Sequence, residues 1–198
     1  MKIARILYPI QSLGPGNRLC IWVCGCNRRC YRCANPELQY ADPEKEVDLQ
    51  LLIDLITPQL READGVTISG GEPFDQTEEL ARLVDAIGEY TNDILIFTGY
   101  TYQALIARNC PATDHVLESI AVLIDGEYID EQNNGDTLRG SSNQQIHYLS
   151  EHIRELYEPY LKAGRIVQNV ATTTGVFSIG IHNRGFMSDL YENLYRKL

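Results

Sequence analysis

The 198-residue sequence lacks a long apolar segment. No uninterrupted apolar run approaches the ~18 residues expected of a membrane-spanning helix. The first segment, MKIARILYPIQ, is interrupted by Arg5, Pro9 and Gln11 before a secretory apolar region could form. We therefore expect no membrane partner and a cytoplasmic location.

The sequence is also poor in positive charge. It has 17 Lys and Arg residues against 27 Asp and Glu residues, a formal net charge of −10. Proteins that bind nucleic acid present a basic face to the phosphates. The charge balance therefore argues against nucleic acid as the main partner.

A second pair of zinc ligands is missing as well. Cys26, Cys30 and Cys33 follow the pattern C-x3-C-x2-C, whereas Cys110 stands alone and the four histidines are scattered. Structural zinc sites usually use two separated pairs of ligands, and cytosolic cysteines rarely form disulfides. The triad therefore favours an iron–sulfur cluster over zinc, with a fourth coordination position still to be filled.

Two further cysteines precede the triad. Cys20 and Cys24 share one face of a predicted strand with Trp22, because side chains alternate along a strand. We expect both to pack inside the sheet. Two alternatives remain open: Cys24 completes a four-thiolate cluster in an electron carrier, or one of the pair completes a zinc site.

Strand and helix patterns alternate along the chain, which predicts one α/β domain with a mostly parallel sheet and helices outside it. Strands are predicted over 2–7, 19–23, 65–69, 93–97 and 120–124, helices over 47–60, 76–90, 101–108, 150–163 and 188–198, a loop over 131–145 and a hairpin over 165–181. Pro58 is expected to end the first helix early, and Asp75 with Glu78 resembles a capping pair. The chain is shorter than the ~250 residues of a complete eight-stranded barrel.

In parallel sheets, chemistry lies at the carboxyl ends of the strands. Four segments follow strands here: the cysteine loop, SGGEP, FTGY and LIDGEY. We therefore expect these segments to meet at one rim of the sheet.

The cysteine triad after one strand and GGEP after the next resemble the radical S-adenosylmethionine superfamily. The resemblance implies that Cys26, Cys30 and Cys33 hold a [4Fe–4S] cluster whose fourth iron binds the amine and carboxylate of S-adenosylmethionine. Reductive cleavage of the sulfonium then yields a 5′-deoxyadenosyl radical. It also implies a set of cofactor-binding residues: Arg32, Cys33, Ala34, Ser69, Gly70, Gly71 and Glu72. Arg32 departs from the aromatic residue often found before the third cysteine, and Glu72 is expected to bind the cationic amino group.

Three later segments, ILIFTGYTYQAL, VLIDGEYIDE and LRGSSNQQI, are similar to the activating enzymes of anaerobic (class III) ribonucleotide reductase. The resemblance covers about residues 15–147 and implies hydrogen abstraction from a glycine Cα of a partner polypeptide. It implies an incomplete, open (β/α) barrel, with Thr98, Gly99 and Tyr100 near the cofactor and Asp125 as a catalytic residue facing the glycine loop. It further implies that the mouth is lined by Arg139, Ser141, Ser142 and Asn143. The C-terminal extension, about 148–198, exceeds what the small activating enzymes carry.

Arg18, Arg28, Arg29 and Arg32 are expected to crowd the cysteine loop, where they compensate an anionic cluster and dock an acidic electron donor such as flavodoxin. Two other functions remain open. One is a compact radical S-adenosylmethionine enzyme that acts on a small molecule, similar to 7-carboxy-7-deazaguanine synthase. The other is a non-catalytic iron–sulfur or zinc module.

Overall fold

The computed structural model describes residues 1–173, 175–186, 188, 189 and 192. The strands are β1 (Ile3–Ile10), β2 (Arg18–Val23), β3 (Gly65–Gly70), β4 (Ile94–Phe97), β5 (Val122–Asp125), β6 (Gln145–Tyr148), β7 (Val167–Thr172) and β8 (Gly175–Gly180). The helices are α1 (Leu49–Leu60), α2 (Thr77–Gly88), α3 (Tyr102–Ile106), α4 (Pro111–Ser119) and α5 (Ile153–Lys162). The helix expected over 188–198 lies mostly outside the described residues.

In this part of the chain, β1 to β6 form one sheet whose strands follow chain order. The four inner strands, β2 to β5, are parallel, and β1 and β6 add antiparallel edges. The prediction of a mixed α/β fold with a mostly parallel sheet is confirmed. No helix within these residues is long and apolar enough to cross a membrane.

The first face of the sheet packs against α1, α2 and α4. Leu19, Ile21 and Val23 of β2 lie in one buried cluster with apolar residues of these helices. Parallel strands covered on both faces carry nearly continuous apolar runs, which explains the composition of LCIWV and IAVLI. The apolar composition of these strands is therefore explained in part by the helices that cover this face.

The second face is covered by the C-terminal extension. Leu95, Val122 and Ile124 share a buried cluster with Ile153 and Tyr157 of α5. The β7–β8 hairpin covers the β1–β2 side, where Ile179 lies in a cluster with Cys20 and Trp22. The predicted hairpin is confirmed, and the extension supplies the second layer over the sheet.

Arg18 lies at the start of β2, at the end opposite to the cysteine loop. Its guanidinium is fully buried and donates to Asp93 Oδ2 at 2.5 Å and to Thr67 Oγ1 at 2.7 Å. Tyr157 of α5 donates its hydroxyl to Asp93 Oδ1 at 2.7 Å. The prediction that Arg18 crowds the cysteine loop is wrong, because this residue pairs with a buried aspartate at the other end of the strand.

Three local predictions are corrected by the structure, and one helix was missed. The helix α4 was not predicted, and β6 begins at the end of the expected loop 131–145. Pro58 lies inside the last turn of α1, which continues to Leu60 because a proline there forfeits only one late hydrogen bond. Asp75 does not cap α2: Gln76 precedes the helix, and the Asp75 carboxylate accepts from the Tyr100 hydroxyl instead.

Candidate functional site

The loops that follow β2, β3, β4 and β5 meet at one rim of the sheet. Gly71 N donates to Val23 O at 2.8 Å, which joins the β3 loop to the end of β2. Gly126 N donates to Tyr100 O at 2.9 Å, which joins the β5 loop to the β4 loop. The expectation that the four chemically suggestive segments lie together is confirmed.

The cysteine loop folds back on itself before it leaves the rim. Cys33 N donates to Cys30 O at 3.2 Å. Arg29 and Arg32, each just before one of these cysteines, have φ of 56°. This left-handed conformation is uncommon for a residue with a side chain. The winding keeps all three thiols of the triad half-exposed on one short loop.

The donor set of this loop fits an iron–sulfur cluster. The thiols of the triad are free, and the three influence one another electrostatically. Burial raises the pKa of Cys26, and it raises the pKa of Cys30 to about 11, so iron has to displace protons from these thiols on binding. Among the described residues, no group of three or more His, Cys, Asp and Glu side chains is arranged to hold a single metal ion. The fit therefore rests on the chemistry of the three thiols and on their position within residues 26–33 of one loop.

Cys20 and Cys24 differ from the triad in their surroundings. Both side chains are buried, as expected for residues that pack within the sheet. Burial raises the pKa of Cys20 to about 12, although Arg18 acts in the opposite direction. Cys20 is therefore held as an inert thiol inside an apolar cluster.

The SGGEP segment approaches the cysteine loop more closely than any residue with a side chain could. A Cβ on Gly70 would lie 2.3 Å from Val23 O, and a Cβ on Gly71 would lie 2.3 Å from Gly25 O. Gly70 also has a φ of 113°, which glycine adopts without strain. Ser69 lies at the end of β3, opposite Trp22 of β2. The two glycines thus bring the β3 loop against the first residues of the cysteine loop.

Glu72 connects the β3 loop to the β4 loop. Its side chain is 1% exposed. Its Oε1 accepts from Thr98 Oγ1 at 2.8 Å and from Phe74 N at 3.0 Å, while Oε2 accepts from Gly99 N at 2.7 Å. Burial raises the pKa of Glu72 to about 7, although these three donors act in the opposite direction. The expected contact with the amino group of a cofactor stays a prediction.

Tyr100 lies between two guanidinium groups. Arg28 of the cysteine loop lies 3.8 Å from the ring centroid and Arg108 lies 3.9 Å from it. The hydroxyl donates to Asp75 Oδ1 at 2.7 Å. Cation–π contacts of this kind fix the ring and both arginines together. Tyr100 thus attaches the cysteine loop to the β4 loop.

Asp125 lies at the end of β5 with both carboxylate oxygens occupied. Oδ2 accepts from Tyr102 N at 2.6 Å, and Oδ1 accepts from Gln145 N at 3.1 Å. His147 Nε2 is 2.9 Å from Oδ2, but it is not oriented for a hydrogen bond. The buried carboxylate therefore fixes the start of α3 and the start of β6. Its catalytic role stays a prediction.

The GSSNQ loop is held by a residue whose role the sequence did not reveal. Gln144 Oε1 accepts from Gly140 N at 2.7 Å, and its Nε2 donates to Gly126 O at 2.7 Å. The amide thereby joins the GSSNQ loop to the LIDGEY loop. Two of the predicted mouth residues donate hydrogen bonds within these loops: Asn143 to Glu127 O and Arg139 Nη1 to Gln144 O. Of the two serines, Ser141 is buried and Ser142 is exposed. The side-chain amide of Gln144 can hold both loops because it has a donor and an acceptor.

Arg32 and Ala34, which flank the third cysteine, are both exposed. The Arg32 guanidinium lies 3.4 Å from Asp130 Oδ2 and 5.5 Å from the centroid of the Tyr31 ring. Arg184 of the C-terminal extension reaches the same oxygen at 2.9 Å. Asp130 and Arg184 were not predicted as site residues, because nothing in the local sequence indicates that they meet.

Comparison with known proteins adds independent evidence about this rim. A family model described as "4Fe-4S single cluster domain" matches residues 12–147, more than half of the chain. That range begins before β2 and includes the four loops described above.

Individual relatives agree with the family match. The anaerobic ribonucleoside-triphosphate reductase-activating protein of Escherichia coli (strain K12) is 31% identical over 152 residues, which are 72% of this chain and 96% of that protein. The protein of the same name from Salmonella typhimurium is 32% identical with the same coverage. The pyruvate formate-lyase-activating enzyme of Staphylococcus aureus (strain USA300) is 28% identical over 167 residues, which are 77% of this chain and 64% of that enzyme.

Proposed function

Because this chain belongs to the radical S-adenosylmethionine activating enzymes of the 4Fe–4S single cluster domain family, we propose that it generates a glycyl radical on a partner polypeptide, an anaerobic ribonucleoside-triphosphate reductase. The protein is an enzyme, and its cofactors are a [4Fe–4S] cluster and S-adenosylmethionine. The observation that carries the proposal is the triad of free cysteines on a loop whose first residues contact the SGGEP loop at the rim of the sheet.

In the proposed mechanism, Cys26, Cys30 and Cys33 hold the cluster. The residues that would hold S-adenosylmethionine are Arg32, Cys33, Ala34, Ser69, Gly70, Gly71, Glu72, Thr98 and Tyr100. When bound, this cofactor pair would supply the one-electron reduction and the radical chemistry needed to remove a hydrogen atom from a glycine Cα.

The protein's own contribution is positioning. Glu72 ties the β3 loop to the β4 loop through Thr98 and Gly99, and Tyr100 ties the β4 loop to the cysteine loop through Arg28. These contacts set the cluster ligands and the cofactor loop at fixed positions relative to each other. In this proposal Asp125 faces the glycine loop of the partner. Its contacts with Tyr102 N and Gln145 N favour a role in positioning the loops over a role in the chemistry itself.

The proposal extends to the architecture and to the approach of the partner. The chain is one domain over 1–198, in which a core of about 15–147 is an incomplete, open (β/α) barrel and about 148–198 is an extension. Packing of α5 and the β7–β8 hairpin on the sheet supports a single domain. Since that packing covers the second face, the partner's glycine loop approaches at the rim, between the cysteine loop and the LIDGEY loop.

The electron donor in this proposal is flavodoxin or a similar acidic reductant in the cytoplasm. Arg28, Arg29 and Arg32 lie on the cysteine loop, and Arg108 stacks on the same Tyr100 ring as Arg28. A local basic surface on a protein of net charge −10 supports docking of an acidic donor near the cluster.

The test is an anaerobic activation assay. Reconstituted protein, dithionite, S-adenosylmethionine and the candidate reductase are mixed, and the glycine-centred radical is sought as an EPR doublet. We expect the doublet with the native chain and none with Cys30→Ala, which removes one thiolate of the triad. A doublet that forms equally well with Cys30→Ala contradicts the proposal.

A second candidate is a radical S-adenosylmethionine enzyme that acts on a small molecule, similar to 7-carboxy-7-deazaguanine synthase. The covered second face favours it, because the extension narrows the approach of a large partner to the sheet. Production of 5′-deoxyadenosine without a doublet on any candidate reductase would support this reading. A non-catalytic module would instead show no change in the EPR spectrum of the reduced cluster when S-adenosylmethionine is added.

A further inference from the structure

One buried carboxylate connects the C-terminal extension to the cysteine loop. The Asp130 side chain is 4% exposed. Its Oδ2 lies 2.9 Å from Arg184 Nε in the extension and 3.4 Å from Arg32 Nη1 in the cysteine loop. Its Oδ1 accepts from the Tyr128 hydroxyl at 3.1 Å. Both guanidinium groups compensate the charge of this buried carboxylate. Because they share one oxygen, the position of each arginine depends on the other.

Arg32 has an unusual need for such a partner. It lies between Cys30 and Cys33, and its φ of 56° places it in a backbone region that costs energy for a residue with a side chain. Its side chain is 54% exposed, so buried packing does not hold it. The contacts with Asp130 and with the Tyr31 ring are the observed restraints on this guanidinium.

Hydrogen bonds hold the segment that carries Arg184 close to Asp130. Arg165 Nη1 donates to His182 O at 2.8 Å, and Asn133 Nδ2 donates to the same oxygen at 3.1 Å. These bonds fix the chain two residues before Arg184 against the loop that follows Asp130. The family match ends at residue 147, so Arg184 belongs to a part of the chain that the matched core lacks.

We propose that Asp130 and Arg184 are positioning residues for the S-adenosylmethionine site: Arg184 holds the Asp130 carboxylate, and Asp130 holds Arg32 beside the third cluster cysteine. The extension thereby fixes the segment Cys30–Cys33 in the conformation that binds the cofactor. This inference rests on the cofactors of the proposed function and is independent of the identity of the partner polypeptide.

The test uses the anaerobically reconstituted protein without any partner. S-adenosylmethionine is titrated into the reduced protein, and the change in the EPR spectrum of the cluster gives an apparent Kd. We expect Asp130→Asn to raise this Kd about tenfold, the lower end of what loss of an outer-shell contact costs at a metal site. Arg184→Ala should raise it less, and Arg184→Lys should recover part of the loss because the positive charge is kept. Arg154→Ala, an exposed arginine of α5 in the same extension, should leave it unchanged.

A double-mutant cycle separates positioning through Arg32 from a general structural effect. If Asp130 acts through Arg32, then adding Asp130→Asn to Arg32→Ala should cause no further rise in Kd. Additive effects would overturn the proposal, as would an unchanged Kd in both Asp130→Asn and Arg184→Ala. Equal loss of iron content in Asp130→Asn and Arg184→Ala would also overturn it, because the contacts would then serve folding of the loop. A missing glycyl radical in the activation assay would refute the proposed partner and leave the Kd result standing.

Discussion

At Glu72, burial and hydrogen bonding act on one carboxylate in opposite senses. Three donors favour the charged form, yet burial dominates and raises the pKa to about 7. Because the pKa in the folded state is above that in the unfolded state, the folded protein binds more protons between about pH 4.5 and pH 7. The stability that Glu72 contributes is therefore present at low pH and is lost as the pH rises through 7.

We expect Glu72→Gln to remove this pH dependence. A shift of this size corresponds to about 3 kcal/mol between pH 4.5 and pH 7. The free energy of unfolding, measured by denaturant titration of the cluster-free protein, should fall more steeply with pH in the native chain than in the variant. Parallel curves for the two proteins would contradict the assignment.

Gly71 at the rim and Gly88 at the end of α2 allow a matched pair of substitutions. Gly71→Ala places a Cβ against Gly25 O, so we expect it to push the SGGEP loop away from the cysteine loop. Its apparent affinity for S-adenosylmethionine should fall at least tenfold, an order of magnitude consistent with misplacement by about 1 Å. Gly88→Ala, in a helix with open space around it, should raise stability by about 0.5–1 kcal/mol and leave cofactor affinity unchanged. Equal affinity in the two variants would show that the close approach has no role.

Candidate site residues could be chosen from the sequence where the chemistry is local. The cysteine triad and the GGE segment each carry their signal within a few residues. Asp130 and Arg184, by contrast, are 54 residues apart, and only the path of the extension brings them together. Gln144 escaped prediction for the same reason, since its partner Gly126 lies on another loop.

Among the elements, those with strong patterns were predicted and those with weak patterns were not. Strands β2 to β5 are short apolar runs bounded by polar loops, and their order followed from the βα alternation. The helix α4 buries only Thr113, Val116 and Leu117, too few to give a clear helical period. The edge strand β6 is polar or half-buried at every position, so its register depends on pairing with β5. That pairing is a tertiary contact, which no local pattern contains.

We expect α5 to loosen when its anchor is removed. Tyr157→Phe deletes the hydroxyl that donates to Asp93, and hydrogen bonds to charged groups contribute about 1.5–3 kcal/mol. The free energy of unfolding should fall by about 2 kcal/mol, and amide hydrogen exchange over 153–162 should accelerate. Leu156→Ala, on the exposed side of the same helix, is the control and should change neither by much. Equal exchange rates in both variants would contradict the anchoring role.

For the whole molecule, the distribution of charge matters more than its sum. A net charge of −10 repels an acidic electron donor at long range, so productive encounter depends on a local positive surface. The cysteine loop provides it through Arg28 and Arg29, of which Arg28 also supports the ring of Tyr100. In the proposed function, cluster binding and donor docking thus use the same short stretch of chain.

Reversal of this surface should slow reduction of the cluster by flavodoxin. We expect Arg28→Glu with Arg29→Glu to lower the bimolecular rate about tenfold at low salt, with a smaller difference at 0.15 M salt as screening shortens to about 8 Å. Arg82→Glu with Arg154→Glu changes the net charge equally at exposed helix positions and is the matched control. Identical rates for the two double variants, followed by stopped-flow absorbance, would exclude docking at the cysteine loop.

The second layer over the sheet has a consequence for shortening this protein. A polypeptide ended at residue 147, where the family core ends, would present Leu95, Val122 and Ile124 to water and would deprive Asp93 of the Tyr157 hydroxyl. The family match does not include the last quarter of the chain, yet that quarter packs against the apolar residues of the sheet. A shortened version of this activating enzyme therefore requires polar substitutions at those three apolar positions, because deletion alone would expose an apolar surface that promotes aggregation.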